Sequence, residues 1–299
     1  MKPQTVTPAA IEIRGLVRSF GHTEAVHGLD LTVPAGSCFG FFGRNGAGKT
    51  TTIKCLLNLL RPDAGSIRVF GFDPVRDELE VKRRIAYVPD QVAFYPWMSV
   101  REALAYAASF RPGWNHSTEA ALLERFRLDP SKPVTGLSKG QRTQLALIAA
   151  IGADPELLVL DEPTSGLDPI VRREFIEAVI GAYQDADPGH RTVFVSTHLI
   201  SEFEGLIDRF TIIEAGRAIV TMDADEARAK YRRLRARFSG EPPNLQTPGI
   251  ISQTRNGREL ELVTNGATEA VLEELRRCQP EDLRSEALSL EEIFVAANR

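Results

Sequence analysis

Cysteine is scarce in this 299-residue chain, long apolar runs are missing, and neither sign of charge dominates. The three cysteines, Cys38, Cys55 and Cys278, are odd in number and show neither CxxC nor metal-ligand spacing. A disulfide framework is therefore excluded and reduced thiols in a cytosol are expected; Cys38 and Cys55, inside apolar runs, read as core residues. No window approaches the ~20 apolar residues of a membrane span, and the first ten residues, MKPQTVTPAA, lack the apolar core of a secretion leader. The chain is thus expected in the cytoplasm, reaching a membrane only through a partner. With a formal net charge of −4 and a pI of about 5.8, nothing global attracts nucleic acid. What remains is enough chain for one large α/β domain and a smaller appendage.

The densest signal is GRNGAGKTT, from Gly43 to Thr51. An apolar run of strand length, Ser37 to Phe42, precedes it. Ile53, Leu56, Leu57 and Leu60 follow at helical spacing. Strand, glycine loop and helix together form a phosphate site: Gly43 and Gly48 permit backbone conformations that turn successive N–H groups into one concavity, which the positive end of the next helix also faces. A triphosphate tail fits there, cradled by Gly43, Arg44, Asn45, Gly46, Ala47 and Gly48. Lys49 reaches its β- and γ-oxygens, and the Thr50 hydroxyl, with Thr51 beside it, meets Mg²⁺.

Strands are expected from Ile11 to Val17 and Leu29 to Val33, with Phe20 between them as either an adenine-stacking ring or a strand-end core residue. A charged helix is expected over Val75 to Ile85 and a buried strand at Tyr87 and Val88. Helical stretches then dominate from about 90 to 152, interrupting the alternation of strand and helix like an inserted subdomain. Leu157 to Asp161 (LLVLD) has the pattern of a buried parallel strand with a carboxylate at its C-terminal edge. A helix over Pro169 to Ile180, a strand over Thr192 to Ser196, a helix over Ile200 to Ile207 and a hairpin around Ala215 to Arg217 complete a first domain of residues 1–222. The smaller second domain, 223–299, begins with the basic run Ala227 to Phe238. It continues with a hairpin around Asn256 and Gly257 and helices at Thr268 to Arg277 and Ser289 to Ala297.

Further chemistry-bearing residues follow the phosphate loop. Ser138 and Gly140, in LSKGQ, open a helix and make either a plain N-cap or an anion site. Asp161 and Glu162 are adjacent at a strand end, so they face differently. One suits a hydrated Mg²⁺ and the other a water to be deprotonated. Asp168 and Pro169 fit an N-cap and first helical position, and His198 ends a strand.

In this order and spacing the residues resemble the nucleotide-binding subunits of ATP-binding cassette (ABC) transporters. GRNGAGKT resembles Walker A, LSKGQ the signature, LLVLDEP Walker B with its glutamate, SGLD the D-loop and STH the switch histidine. The likeness spans about residues 10–222. It implies a P-loop NTPase fold, with a mixed sheet around the phosphate-loop helix, a helical signature subdomain and a small C-terminal α/β appendage. It also implies an ATPase using ATP and Mg²⁺, with Asp161 supporting the metal, Glu162 as general base and His198 at the γ-phosphate. Ser138, Lys139, Gly140 and Gln141 would contact ATP held by a second copy or a homologous cassette, and Phe20 would stack on adenine. Two positions depart from the pattern. Lys139 stands where glycine is usual, and the Q-loop position falls on Asp90, with Gln91 beside it as a second candidate metal residue.

The resemblance further implies a separate integral membrane permease, with export as the direction. The aromatic run VAFYPWMSV, carrying Phe94, Tyr95, Trp97 and Met98, is either its docking loop or subdomain core. A regulatory or nucleic-acid-associated ATPase is the rival reading, resting on the basic stretch Lys230 to Arg237. The long heptad insertion of chromosome-maintenance relatives and the second cassette of translation factors are both absent, and no nucleic acid is expected.

Overall fold

The computed structural model describes residues 9–184 and 191–297; of the ten residues read above for an apolar core, the first eight lie outside them. Two compact units divide at residues 219 and 220.

The first unit is built on a six-stranded sheet of order β5-β6-β7-β3-β8-β9. Its strands are β3 (Cys38–Phe42), β5 (Ile85–Val88), β6 (Leu157–Asp161), β7 (Thr192–Thr197), β8 (Arg209–Glu214) and β9 (Arg217–Asp223), the last running through the unit boundary. β5, β6, β7, β3 and β8 pair in parallel. Every residue of β3, β6 and β7 is buried, as continuous apolar runs covered on both faces require. Phe194 stacks on Phe39 with ring centroids 6.0 Å apart, and Phe42 stacks on Phe210 at 5.7 Å. Burial of each such ring contributes about 1.5–3 kcal/mol.

A second, antiparallel sheet pairs β1 (Ala9–Phe20) with β2 (Thr23–Pro34) and β4 (Ala64–Val69). The helices are α1 (Lys49–Leu56), α2 (Glu78–Arg84), α3 (Val100–Ala108), α4 (His116–Arg125), α5 (Lys139–Gly152), α6 (Pro169–Gln184) and α7 (Ile200–Phe203). α1 stops at Leu56 although Leu57 and Leu60 continue the helical spacing, and α2 and α7 are shorter than predicted as well. Asp77 precedes α2, and Asp73 accepts the N–H groups of Val75 and Arg76, so that stretch is a turn. α7 gives way after one turn, four residues short of Ile207.

Parallel strands place their C-terminal ends on one edge. Phe42 lies opposite Thr197 and Asp161 opposite Ser196. The loops after β3, β6 and β7 therefore emerge side by side, where open parallel sheets bind ligands. No helix among the described residues is long and apolar enough to cross a membrane.

The second unit contains α8 (Ala224–Lys230), β10 (Tyr231–Arg237), β11 (Ile250–Asn256), β12 (Glu259–Asn265), α9 (Thr268–Arg277), β13 (Asp282–Ala287) and α10 (Leu290–Ala297). Its sheet runs β11-β12-β10-β13, antiparallel throughout. Leu234, Ala236, Leu260 and Leu262 pack against Val271, Leu272 and Leu275 of α9. The alternate positions carry Arg233, Arg235 and Arg237, so the basic run passes from the end of α8 into β10. Arg233 pairs with Glu292 at 2.8 Å, Arg235 with Glu261 at 2.9 Å and Arg237 with Glu281 at 3.8 Å.

Candidate functional site

The loop after β3 coils around α1. Gly48 caps α1 at φ 105°, a conformation open to glycine, and a β-carbon there would lie 2.5 Å from the Ala25 carbonyl oxygen. Gly43 departs from its sequence reading. It is not among the residues of positive φ, and glycine is needed because a β-carbon would come within 2.6 Å of the Ile213 carbonyl. Arg44, Asn45 and Gly46 are the exposed tip, while Ala47 is buried and its carbonyl accepts the N–H of Gly216. No acidic residue lies in the first turn of α1, so its positive end remains free for an anion. Lys49 is 5 % exposed and folds back over the loop, donating to the Gly43 carbonyl at 2.7 Å and the Arg44 carbonyl at 3.3 Å.

Walker B supplies the facing wall. Asp161 is fully buried and accepts hydrogen bonds from Ser196 Oγ at 3.0 Å, Tyr87 Oη at 3.5 Å and the Thr50 hydroxyl. Burial pushes its carboxyl above the usual carboxylate value, against the pull of those hydroxyls. Glu162 takes φ +47°, a conformation that costs a non-glycine residue about 1–3 kcal/mol. Its N–H donates to the Ser196 carbonyl at 2.7 Å, fixing the turn. One carboxylate oxygen, Oε2, lies 2.8 Å from His198 Nδ1 and 3.3 Å from Thr197 Oγ1. The other, Oε1, is buried, lies 3.0 Å from Lys49 Nζ and forms no hydrogen bond, so that contact is an ion pair outside hydrogen-bond geometry.

Among the described residues no cluster of three or more His, Cys, Asp or Glu could hold a metal unaided. Thr50 and Asp161, hydroxyl against carboxylate, suit a hard cation that takes the rest of its shell from water and phosphate. Thr51 is half-buried on α1 beside them. Asp90 and Gln91 are both exposed; Asp90 comes close enough to raise the Tyr87 hydroxyl pKa, alongside burial and Asp161, which cause more of the shift.

The remaining motif residues are placed by helix caps. Ser138 Oγ accepts the Gln141 N–H at 3.1 Å, and Gln141 Oε1 accepts the Ser138 N–H at 3.1 Å, a reciprocal cap for α5. The Lys139 and Gly140 N–H groups are first-turn donors without intrahelical acceptors. Lys139 Nζ donates to the Ser165 carbonyl at 2.7 Å. Asp168 caps α6 by accepting the N–H groups of Ile170 and Val171, both at 3.1 Å. Phe20 is not a core residue: it is 48 % exposed, with the Arg18 guanidinium 4.9 Å from its ring centroid. Asp63 fixes that pair, accepting from Arg18 at 2.8 Å and from the Ser19 N–H at 2.6 Å. Tyr95 and Trp97 are likewise exposed and stack at 4.9 Å, with Tyr106 and Phe110 of the α3 region continuing the ladder at 5.5 and 5.1 Å.

The profile of the ABC transporter family matches residues 26–165. A daunorubicin resistance ATP-binding protein of Streptomyces coeruleorubidus is 38% identical over 226 residues, 74% of this chain and 70% of that protein. The chain belongs to the ABC transporter family of ATP-binding proteins. A Nod factor export ATP-binding protein of Burkholderia lata is 39% identical over 220 residues, 71% of this chain and 70% of its own. The solved structure of an ATP-binding subunit of an ABC transporter superposes with a TM-score of 0.66 at 26% identity, covering 74% of this chain and 92% of that one. This ABC subunit thus has the cassette fold of the export-type branch, and it binds and hydrolyses ATP to power transport. Motif reading missed Tyr87, Ser196 and Thr197, which hold the two carboxylates, and Asp63, which holds the Phe20 platform. Strand register, which sets Ser196 opposite Asp161, would have found Ser196.

Proposed function

We propose that this ABC subunit works as a head-to-tail pair, of itself or with a homologous cassette, at the cytoplasmic face of a membrane permease that exports its cargo. The observation that carries the reading is Glu162, held in a strained turn between Lys49 and His198 at the parallel-strand edge.

ATP enters with its adenine on Phe20 and its phosphates against the N-terminus of α1. Lys49 turns from the Gly43 and Arg44 carbonyls to the β- and γ-oxygens, and that movement frees Glu162 Oε1 from its cation. Glu162 then takes a proton from the attacking water, with His198 orienting the carboxylate through Oε2 and lying within reach of the γ-phosphate. A bound Mg²⁺ would neutralise charge on the phosphate oxygens, and Thr50 and Asp161 would hold it, with Asp90 or Gln91 as a further candidate. From the opposite copy, the first-turn N–H groups of α5 beside Ser138 and Gln141 close over the same phosphates. Asp168 keeps α6 and its D-loop in place for that face.

The exposed ladder of Tyr95, Trp97, Tyr106 and Phe110 supports a docking surface for a cytoplasmic segment of the permease, since aromatic side chains concentrate interface energy. The rival nucleic-acid reading is less favoured, because Arg233, Arg235 and Arg237 of the stretch it relied on are paired with glutamates. Residues 220–299 serve as an accessory unit. The test is the E162Q chain with ATP: it should migrate at twice the monomer mass with intact ATP bound and revert with ADP. A monomer under saturating ATP would remove the paired mechanism.

A further inference from the structure

We infer that Lys139 is a positioning residue for Glu162, acting within its own chain through the backbone of Ser165. This deepens the proposed mechanism and rests on Glu162 being the base.

Lys139 is the first residue of α5, and no acidic residue follows in that turn to receive its charge. A cation there is opposed by the positive end of the helix, so its position needs a compensating acceptor. The acceptor is the Ser165 carbonyl, 2.7 Å from Nζ. Ser165 in turn donates its N–H to the Glu162 carbonyl at 3.1 Å. Two hydrogen bonds therefore join the signature cation to the residue that carries the base. The next residue, Gly166, sits at φ +70°, and a β-carbon there would come within 2.9 Å of Lys139 Nζ. Glycine at 166 leaves the space that lysine at 139 occupies.

The helices behind this contact are joined closely. A β-carbon on Gly140 would lie 3.0 Å from Val171 Cγ1, and Gln144 Nε2 donates to Glu174 Oε2 at 3.0 Å. α5 and α6 thus bring the start of one helix against the loop that leads into the other. Arg172 continues the connection, donating to the Leu167 carbonyl at 3.1 Å and pairing with Glu202 of α7 at 2.7 Å. The turn from Glu162 to Leu167 is held from both sides, by Lys139 of the signature and by Arg172 of α6. Glu162 pays for its positive φ with such restraints, and loosening one side lets the carboxylate drift from His198.

The experiment compares K139M and K139R with the parent chain in steady-state ATPase assays and nucleotide-binding titrations. K139M should lower kcat about five- to twentyfold, the scale of a sub-ångström misplacement of a catalytic group. KM for ATP and the melting temperature should stay put, and K139R should recover most of the rate. In an E162Q background, K139M should leave ATP-driven pairing unchanged. Loss of pairing there would mean that Lys139 touches the nucleotide of the other copy and would overturn the inference. Parental kcat in K139M would overturn it as well. Failure of the base assignment shows separately, as undiminished turnover in E162Q itself.

Discussion

The two units handle charge in opposite ways. In the first, Asp161 at the end of β6, Glu162 just after it and Lys49 at the start of α1 are drawn together at the edge of a buried sheet, and Glu162 Oε1 is left buried without a hydrogen bond. In the second, arginines and carboxylates alternate across an exposed sheet face and neutralise one another in pairs. Burying an incompletely satisfied charge costs several kcal/mol, whereas an exposed pair changes stability by about 1 kcal/mol or less. A chain accumulates the first kind of arrangement where a ligand will complete it. The second keeps a strand-rich surface soluble and blunts the basic run that a linear reading takes for a nucleic-acid patch.

That contrast is open to mutation. The largest effect is expected for K49A, which removes the cation from the phosphate loop and leaves Glu162 Oε1 buried without a partner. ATP affinity should fall at least tenfold and the nucleotide-free chain should lose about 1–3 kcal/mol in urea unfolding. Full stability in K49A would mean that the buried pair carries no strain.

A smaller effect is expected at Asp63, which positions Arg18 over Phe20. Its carboxyl is held below the usual carboxylate value, first by the Ser19 N–H and then by Arg18. A depressed folded-state pKa contributes stability that is present above the unfolded value of about 4 and is lost as pH falls through the lower folded value. D63N should therefore weaken ATP binding a fewfold at neutral pH and flatten the acid side of the stability profile, both readable from titrations and melts between pH 3 and 7. The smallest effect belongs to R235A. Its partner Glu261 remains in solvent, so ATPase activity should be unchanged and the unfolding midpoint should barely move.

Much of the first unit was legible from residues alone, because buried parallel strands write their burial into the chain: LLVLD spans β6 without error, and TVFVST extends the expected strand by one residue. α9 was equally plain, with Val271, Leu272 and Leu275 on one face. β10 was hidden because the pair Arg232–Arg233 breaks the alternation that Leu234 and Ala236 would otherwise announce. β13, DLRSEA, has almost no buried residue and so no pattern to read. Within the site, motifs located the loop, the carboxylates and the caps. They could not say that Gly43 is required by the Ile213 carbonyl, that Phe20 lies outside the core, or that Lys139 reaches back to Ser165. Those are distances between segments far apart in sequence, and no local periodicity encodes them.

The measurement closest to the centre is phosphate release from E162Q at saturating ATP. Turnover should drop by about two orders of magnitude or more, with ATP still bound and the fold intact. Turnover within a fewfold of the parent chain would show that the strained carboxylate beside Lys49 and His198 is not the base.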